Sequence, residues 1–325
     1  MRPTFSIIFL TTLIGAGQGL FLALYSGELF SAFRLLPAQD PLQFYALGSM
    51  FALVLLVAGL ASSFFHLGRP ERAWRAASQW RTSWMSREVI VLPVFMGAVA
   101  FWGLIHYTGW NPVLFTFRYT FEISLSLVVG AFTTVLCFAL FLCTGMIYAC
   151  IRMLQEWATP LTVVNYTLFG SVSGFMLATG FAAWQESTQT AFFGGWAIIL
   201  TVLALITRAA SLVRNARLAP KSTLQTAIGV RHAHIEQKAQ GSMGGSFNTH
   251  EYFHGASKRK YKNVKWAFLI LVFPLPLCLL FAAMATNLPG LYLTAFLVQY
   301  VGLLMERWFF FAQANHPQNL YYQTV

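Results

Sequence analysis

Apolar residues run along this chain in long unbroken stretches. Eight of them reach or approach the length of about 20 residues that crosses a bilayer as a helix: residues 5–30, 42–65, 89–107, 123–148, 161–184, 192–206, 266–285 and 291–311. The sixth is the shortest. The seventh contains Pro274 and Pro276, so a kink is expected there, tolerable where neighbouring helices satisfy the freed carbonyls. Residues 207–265 break the pattern with a polar, basic, Gly- and Ser-rich composition. A membrane β-barrel would show segments of about ten residues alternating apolar and polar, and no such alternation is present. The pattern predicts an all-α polytopic membrane helix bundle of about eight transmembrane helices. It forms one membrane domain over residues 1–325, with residues 207–265 as a basic loop between helices six and seven.

Composition sharpens this. The 325 residues are 57% apolar and 10% charged, with 31 Phe, 12 Tyr and 10 Trp; mean hydropathy is +0.61. Disordered chains need low hydrophobicity and high net charge, and a soluble core needs more polar surface than this. The start of the chain reads as a retained first helix rather than a cleaved signal. The net charge of +11 would suggest nucleic acid in a soluble protein. In a membrane protein the positive-inside rule accounts for it. With eight spans, 19 of the 21 basic residues fall on one side and only Arg34 and Arg118 on the other. Setting aside the eleven in the long loop leaves eight against two. Both termini are therefore expected to face the cytoplasm.

The most informative polar stretch lies between helices two and three. It runs His66-Leu-Gly-Arg-Pro-Glu-Arg72-Ala-Trp74-Arg75 and on to Ser83-Trp84-Met-Ser-Arg87-Glu88. A quinone head group offers two carbonyl oxygens, and its reduction needs hydrogen-bond donors and a titratable proton carrier. Histidine suits the second task near neutral pH, and ionisable groups at membrane depth are often functional. The same arginines would equally serve as anchors at phospholipid head groups. The residues alone leave both readings open.

Other chemistries fit less well. Cys137, Cys143, Cys150 and Cys278 include no C-x-x-C pair and read as buried hydrophobes rather than zinc or iron–sulfur ligands. His66 and His106 sit at opposite ends of their helices, roughly a hydrocarbon thickness of ~30 Å apart, so they cannot share a haem. His232, His234, His250 and His254 read as solvated loop histidines. Gln18, Asn165, Gln185 and Gln299 read as neutral glue between helices. Glu28, Glu122 and Glu186 read as solvated helix ends near the opposite surface. Glu306 and Arg307 are expected to pair with each other or with loop arginines. A transporter would place polar groups mid-membrane in broken helices. A purely structural anchor stays open as an alternative.

His66-Leu-Gly-Arg-Pro, Arg72, Ser83 and Glu88, together with Glu306-Arg-Trp-Phe-Phe-Phe-Ala-Gln-Ala, resemble dimethyl sulfoxide reductase membrane anchor subunits, and the eight-span layout matches. The insertion at residues 244–255 and the tail from His316 resemble the membrane subunit of the cytoplasm-facing sulfite-oxidising molybdoenzyme, sulfite dehydrogenase (quinone). The five arginines of the His66 loop put it on the positive side, unlike the periplasmic placement understood for the dimethyl sulfoxide enzyme. The resemblance implies an anchor in the bacterial inner membrane. It would carry an iron–sulfur subunit on its cytoplasmic loops and, through that, a molybdopterin catalytic subunit. Membrane lipids would be its other partners, with no nucleic acid and no haem. It also implies electron transfer to ubiquinone or menaquinone, with the molybdopterin and iron–sulfur clusters held only by partner subunits. His66 would relay a proton, Glu88 would be a second proton group, Arg72 would position the quinone head group, and Ser83, Trp74 and Trp84 would line its pocket. The opposite direction, from quinol to an oxidised substrate, is the alternative.

Overall fold

A computed structural model describes residues 1–117, 121–236, 238 and 254–320. Eight helical spans are long and apolar enough to cross a membrane among the described residues. They comprise α1 (Phe5–Ala32), α2 (Leu47–Ser63), α3 (Trp84–Thr108), α4 (Leu125–Ala149), α5 (Pro160–Trp184), α6 (Thr190–Ala216), the broken pair α8 (Lys258–Val272) and α9 (Pro274–Thr286), and α10 (Pro289–Gln313). A five-residue helix, α7 (Leu224–Ile228), lies in the long connection. A π-helical turn, Pro41–Ala46, leads into α2, with Asp40 Oδ1 accepting from Gln43 N–H at 2.6 Å.

Three features depart from the sequence pattern. The sixth span is not short: α6 continues through Arg208 and Arg214 to Ala216. The polar insertion therefore begins about ten residues later than residue 207, and it ends earlier because α8 begins at Lys258. Buried partners for Arg208 make a charged helical turn tolerable. Second, the connection between α3 and α4 carries a small antiparallel hairpin, β1 (Val113–Phe117) with β2 (Phe121–Ser124). Third, residues 66–83 are not an open loop: Pro70–Gln79 winds as a 3-10 helix.

The expected kink is present. The helix breaks at Phe273 between α8 and α9, because Pro274 has no N–H to donate. Pro276 likewise leaves the Val272 carbonyl without its helical donor, and Gln299 Nε2 of α10 donates to it at 3.3 Å. Gln18 Nε2 of α1 donates to the Cys137 carbonyl of α4 at 3.0 Å. Both behave as the inter-helix glue the sequence suggested.

α1 and α5 are the most buried spans. They cross through Gly15 and Gly19 on α1 against Gly170 and Gly174 on α5. Each pair is a small-xxx-small step, which lets two backbones touch where packing rather than water exclusion drives association. A Cβ added at Gly174 would lie well under 3.0 Å from the Gly19 backbone. Around this crossing, Phe21, Phe95 and Trp102 form an edge-to-face aromatic layer.

Candidate functional site

One end of the bundle gathers the start of α1, His66 at the end of α2, Tyr148 near the end of α4, Trp157, His254 and Lys260 before and in α8, and Trp308 and Phe311 of α10. Together they line a chamber of about 930 Å³, within the range of about 300–1,000 Å³ typical of small-molecule sites. Tyr148 and Trp157 meet edge to face at 5.4 Å, and Tyr148 and Phe311 at 5.5 Å. Trp157 Nε1 donates to the Phe310 carbonyl at 3.0 Å, which fixes its ring. The Met1 ammonium donates to the Ala314 carbonyl at 2.7 Å. Burial pushes that amine down to about 6, against the pull of Glu156, which raises it. His254 stacks on Tyr261 at 5.7 Å. Burial first, and then the facing N-terminal charge, hold its pKa below the ordinary histidine value.

A second, much smaller cavity of about 30 Å³ lies deeper. Its wall includes Thr11, Thr12 and Gln18 of α1, Glu88 of α3, Thr144 of α4, Tyr166 and Ser173 of α5, and Arg307 of α10. Thr144 Oγ1 donates to Glu88 Oε1. The Tyr148 ring on the chamber wall stacks on the Tyr166 ring on the cavity wall, centroids 5.5 Å apart and nearly parallel. These two phenols separate the spaces.

The six residues singled out in sequence therefore divide. His66 is on the chamber wall, and Glu88 is in the inner cavity. The other four line neither space. Arg72 lies on the surface, with Nε 4.0 Å from Glu71 Oε1. Trp74 is exposed beside Arg75. Trp84 packs under the Arg87 guanidinium at 4.2 Å. Ser83 is the N-cap of α3, accepting from Ser86 N–H at 3.4 Å. The 3-10 turn holds Arg72 and Trp74 outward, and Arg87 clamps its end by donating to the Trp80 and Arg81 carbonyls. Sequence reasoning singled out neither Tyr148, Trp157 nor Tyr166, and it named Trp308 only as part of the C-terminal stretch that carries the resemblance. Nothing in their spacing sets them apart.

Buried charge lies at both ends. Arg208 Nη2 and Arg307 Nε each approach Glu306, on Oε1 and Oε2, at 2.8 Å, with all three side chains 4% exposed or less. The Arg307 guanidinium sits 4.0 Å above the Tyr166 ring. At the opposite end, Glu28 is not a solvated helix end. Its carboxylate is buried, accepts from Trp102 Nε1 at 3.0 Å and from Ser126 Oγ, and lies 3.3 Å from His106 Nε2. His66 and His106 thus belong to opposite ends of the bundle. Glu122 and Glu186 are exposed, and Glu186 adopts φ 52°. His232 and His234 are exposed. His250, and residues 244–253 of the insertion that carried part of the resemblance, lie outside the described residues, as does Arg118. Among the described residues, no three of His, Cys, Asp and Glu group as metal ligands.

The family pattern of the DMSO reductase anchor subunit (DmsC) matches residues 1–322. The chain belongs to that family. It is also 55% identical, over the full length of both chains, to a sulfite dehydrogenase subunit from Allochromatium vinosum. With eight apolar spans, this anchor-family chain is a multi-pass membrane protein. Of the residues that carry the family resemblance, His66, Glu88, Glu306 and Arg307 all take part in the chamber, the cavity or the buried charge cluster behind them.

Proposed function

We propose that this protein is the quinone-reactive membrane anchor of a molybdopterin and iron–sulfur complex, passing electrons from cytoplasmic sulfite oxidation to quinone in the inner membrane. The observation that carries this reading is the chamber at the basic end of the bundle. It joins aromatic walls to an imidazole at the depth where a membrane-borne ring would meet electrons delivered from a docked partner. Sulfite rests on the full-length similarity to the Allochromatium vinosum sulfite dehydrogenase subunit, and the sidedness rests on the arginines.

A quinone bound there accepts two electrons and two protons. Tyr148, Trp157 and Trp308 supply flat apolar surface for the ring. His66, on the wall, donates a hydrogen bond to a ring oxygen and relays a proton in the usual role of a histidine near neutral pH. Lys260 and His254, which also line the chamber, add donors. Arg72, Trp74 and the exposed Trp80 face outward, where they serve the docked iron–sulfur subunit or the head-group layer instead of the ring.

The test is His66→Ala in the intact complex, read by quinone-dependent turnover and by binding of a quinone analogue. Loss of either by about 10²-fold is expected for removal of a positioned proton carrier; unchanged turnover and binding would take His66 out of the site. Sidedness is tested separately with single cysteines at Ser78 and Thr82, both exposed, in a background lacking the four native cysteines. An impermeant maleimide should label them in inverted vesicles and not in intact cells. The reverse pattern would favour a periplasmic quinol-oxidising reductase of the dimethyl sulfoxide type.

A further inference from the structure

The inner cavity has no role in that reading beyond holding Glu88, yet its wall is unusually polar for the middle of a helix bundle. Arg307, 4% exposed, lines it, and its Nη1 lacks a well-aligned hydrogen bond; the buried Tyr166 hydroxyl lies against Arg307 and Tyr148, also without a well-aligned one. Buried polar groups left without partners cost about 1–3 kcal/mol each, and such sites in proteins are usually filled by water. A volume of about 30 Å³ has room for one or two waters, each needing two to four polar partners. Glu88, Thr144, Tyr166 and Arg307 supply them. A quinone ring does not fit in so small a space.

We propose that Tyr148, Tyr166 and water held by Arg307 form the proton relay that joins Glu88 to the chamber. The proposal rests on the quinone reading above and deepens it. It explains how a carboxyl group walled off from the ring still serves it. In the step, a proton passes from the Glu88 carboxyl to the cavity water, from the water to the Tyr166 oxygen as the Tyr166 proton moves to Tyr148, and from Tyr148 to a ring oxygen. The electrons come from the one-electron iron–sulfur carriers of the partner, and each phenol ends as it began. Glu88, near the surface end of α3, then takes a proton from the basic side. Arg307 is a positioning residue. It carries no transferable proton, but it orders the water and lies over the Tyr166 ring. The titratable groups facing the cavity are Glu88 from α3, Tyr166 from α5 and Arg307 from α10. Tyr148 of α4 stands behind Tyr166, and Glu306 and Arg208 stand behind Arg307. The polar side chains that α1 contributes, Thr11, Thr12 and Gln18, carry no charge.

Two experiments test this. X-ray radiolytic footprinting of the full-length protein in nanodiscs oxidises side chains next to bound water. Tyr166, although buried, should be modified, with slow uptake of label from oxygen-18 water, and an unmodified Tyr166 would overturn the proposal. Tyr166→Phe and Tyr148→Phe, made in the intact complex, keep the rings and remove the hydroxyls. Each should lower quinone-dependent turnover by about 10²-fold and change its solvent deuterium isotope effect, while a quinone analogue binds as before. Normal turnover in both variants would overturn the relay and leave the quinone site standing. A wild-type complex that binds no analogue would overturn the quinone site itself. Arg307→Lys should restore part of the turnover lost in Arg307→Met; no difference between the two would remove Arg307 from the relay.

Discussion

Replacing Gly174 by alanine tests the reason α1 and α5 cross where they do. The new Cβ would fall well under 3.0 Å from backbone atoms of Gly19. Carbon atoms in contact rest at about 3.5–4.0 Å, so the two backbones must part by ~1 Å or more; no side chain is there to swing away. A gap of ~0.5–1 Å already forfeits a quarter to a half of each contact's attraction. Overpacking of this kind typically costs about 1–3 kcal/mol, and the loss falls on the most buried pair of spans. Gly195 on α6 is the internal control, because nothing lies within 4 Å of a Cβ built there. There the same substitution gains helix propensity worth up to about 1 kcal/mol. The assay is thermal unfolding of the purified full-length protein in one detergent, followed by tryptophan fluorescence. Gly174→Ala should melt well below wild type, and Gly195→Ala at or above it. Equal melting temperatures for the two variants would refute the close-approach argument.

The buried charge cluster gives an ordering. Glu306→Gln leaves Arg208 and Arg307 buried without their carboxylate and should cost about 3–5 kcal/mol. Arg208→Met keeps the Glu306–Arg307 pair and should cost distinctly less by the same melting assay, and the opposite order would sink the assignment of Glu306 as the shared anion. His254 titrates below an ordinary histidine because of burial and the facing N-terminal charge. The fold therefore favours the neutral ring, and stability declines as pH drops from the ordinary histidine pKa toward the depressed one. Histidine C2 hydrogen–deuterium exchange read by mass spectrometry should place its midpoint low. Acetylating the N-terminus should raise it, and no response would mean that the amine does not act on it.

The number and order of the spans were legible in the sequence because a bilayer imposes one simple demand, about 20 apolar residues per crossing. The break at Pro274 was legible for a similar reason: a missing N–H is a local fact. His66 could be picked out because an imidazole and five arginines at a span end stand out against an apolar background. What the sequence could not determine is which polar groups meet. Glu88, 22 positions after His66 in the chain, opens onto a different space because α3 turns its carboxylate inward to Thr144. Arg208 read as a loop cation until Glu306, 98 positions later in the chain, proved to hold it inside the bundle. Glu28 and His106 read as two unrelated helix ends, and α1 and α3 bring them within 3.3 Å. Tyr148 and Tyr166 look like any other membrane tyrosines. Hydropathy is a property of each segment and survives in one dimension. A buried charge, a wall between two cavities and a carboxyl turned into one of them depend on helix rotation and crossing, which are set by side-chain packing such as the glycine contact of α1 with α5, and only the tertiary structure decides them.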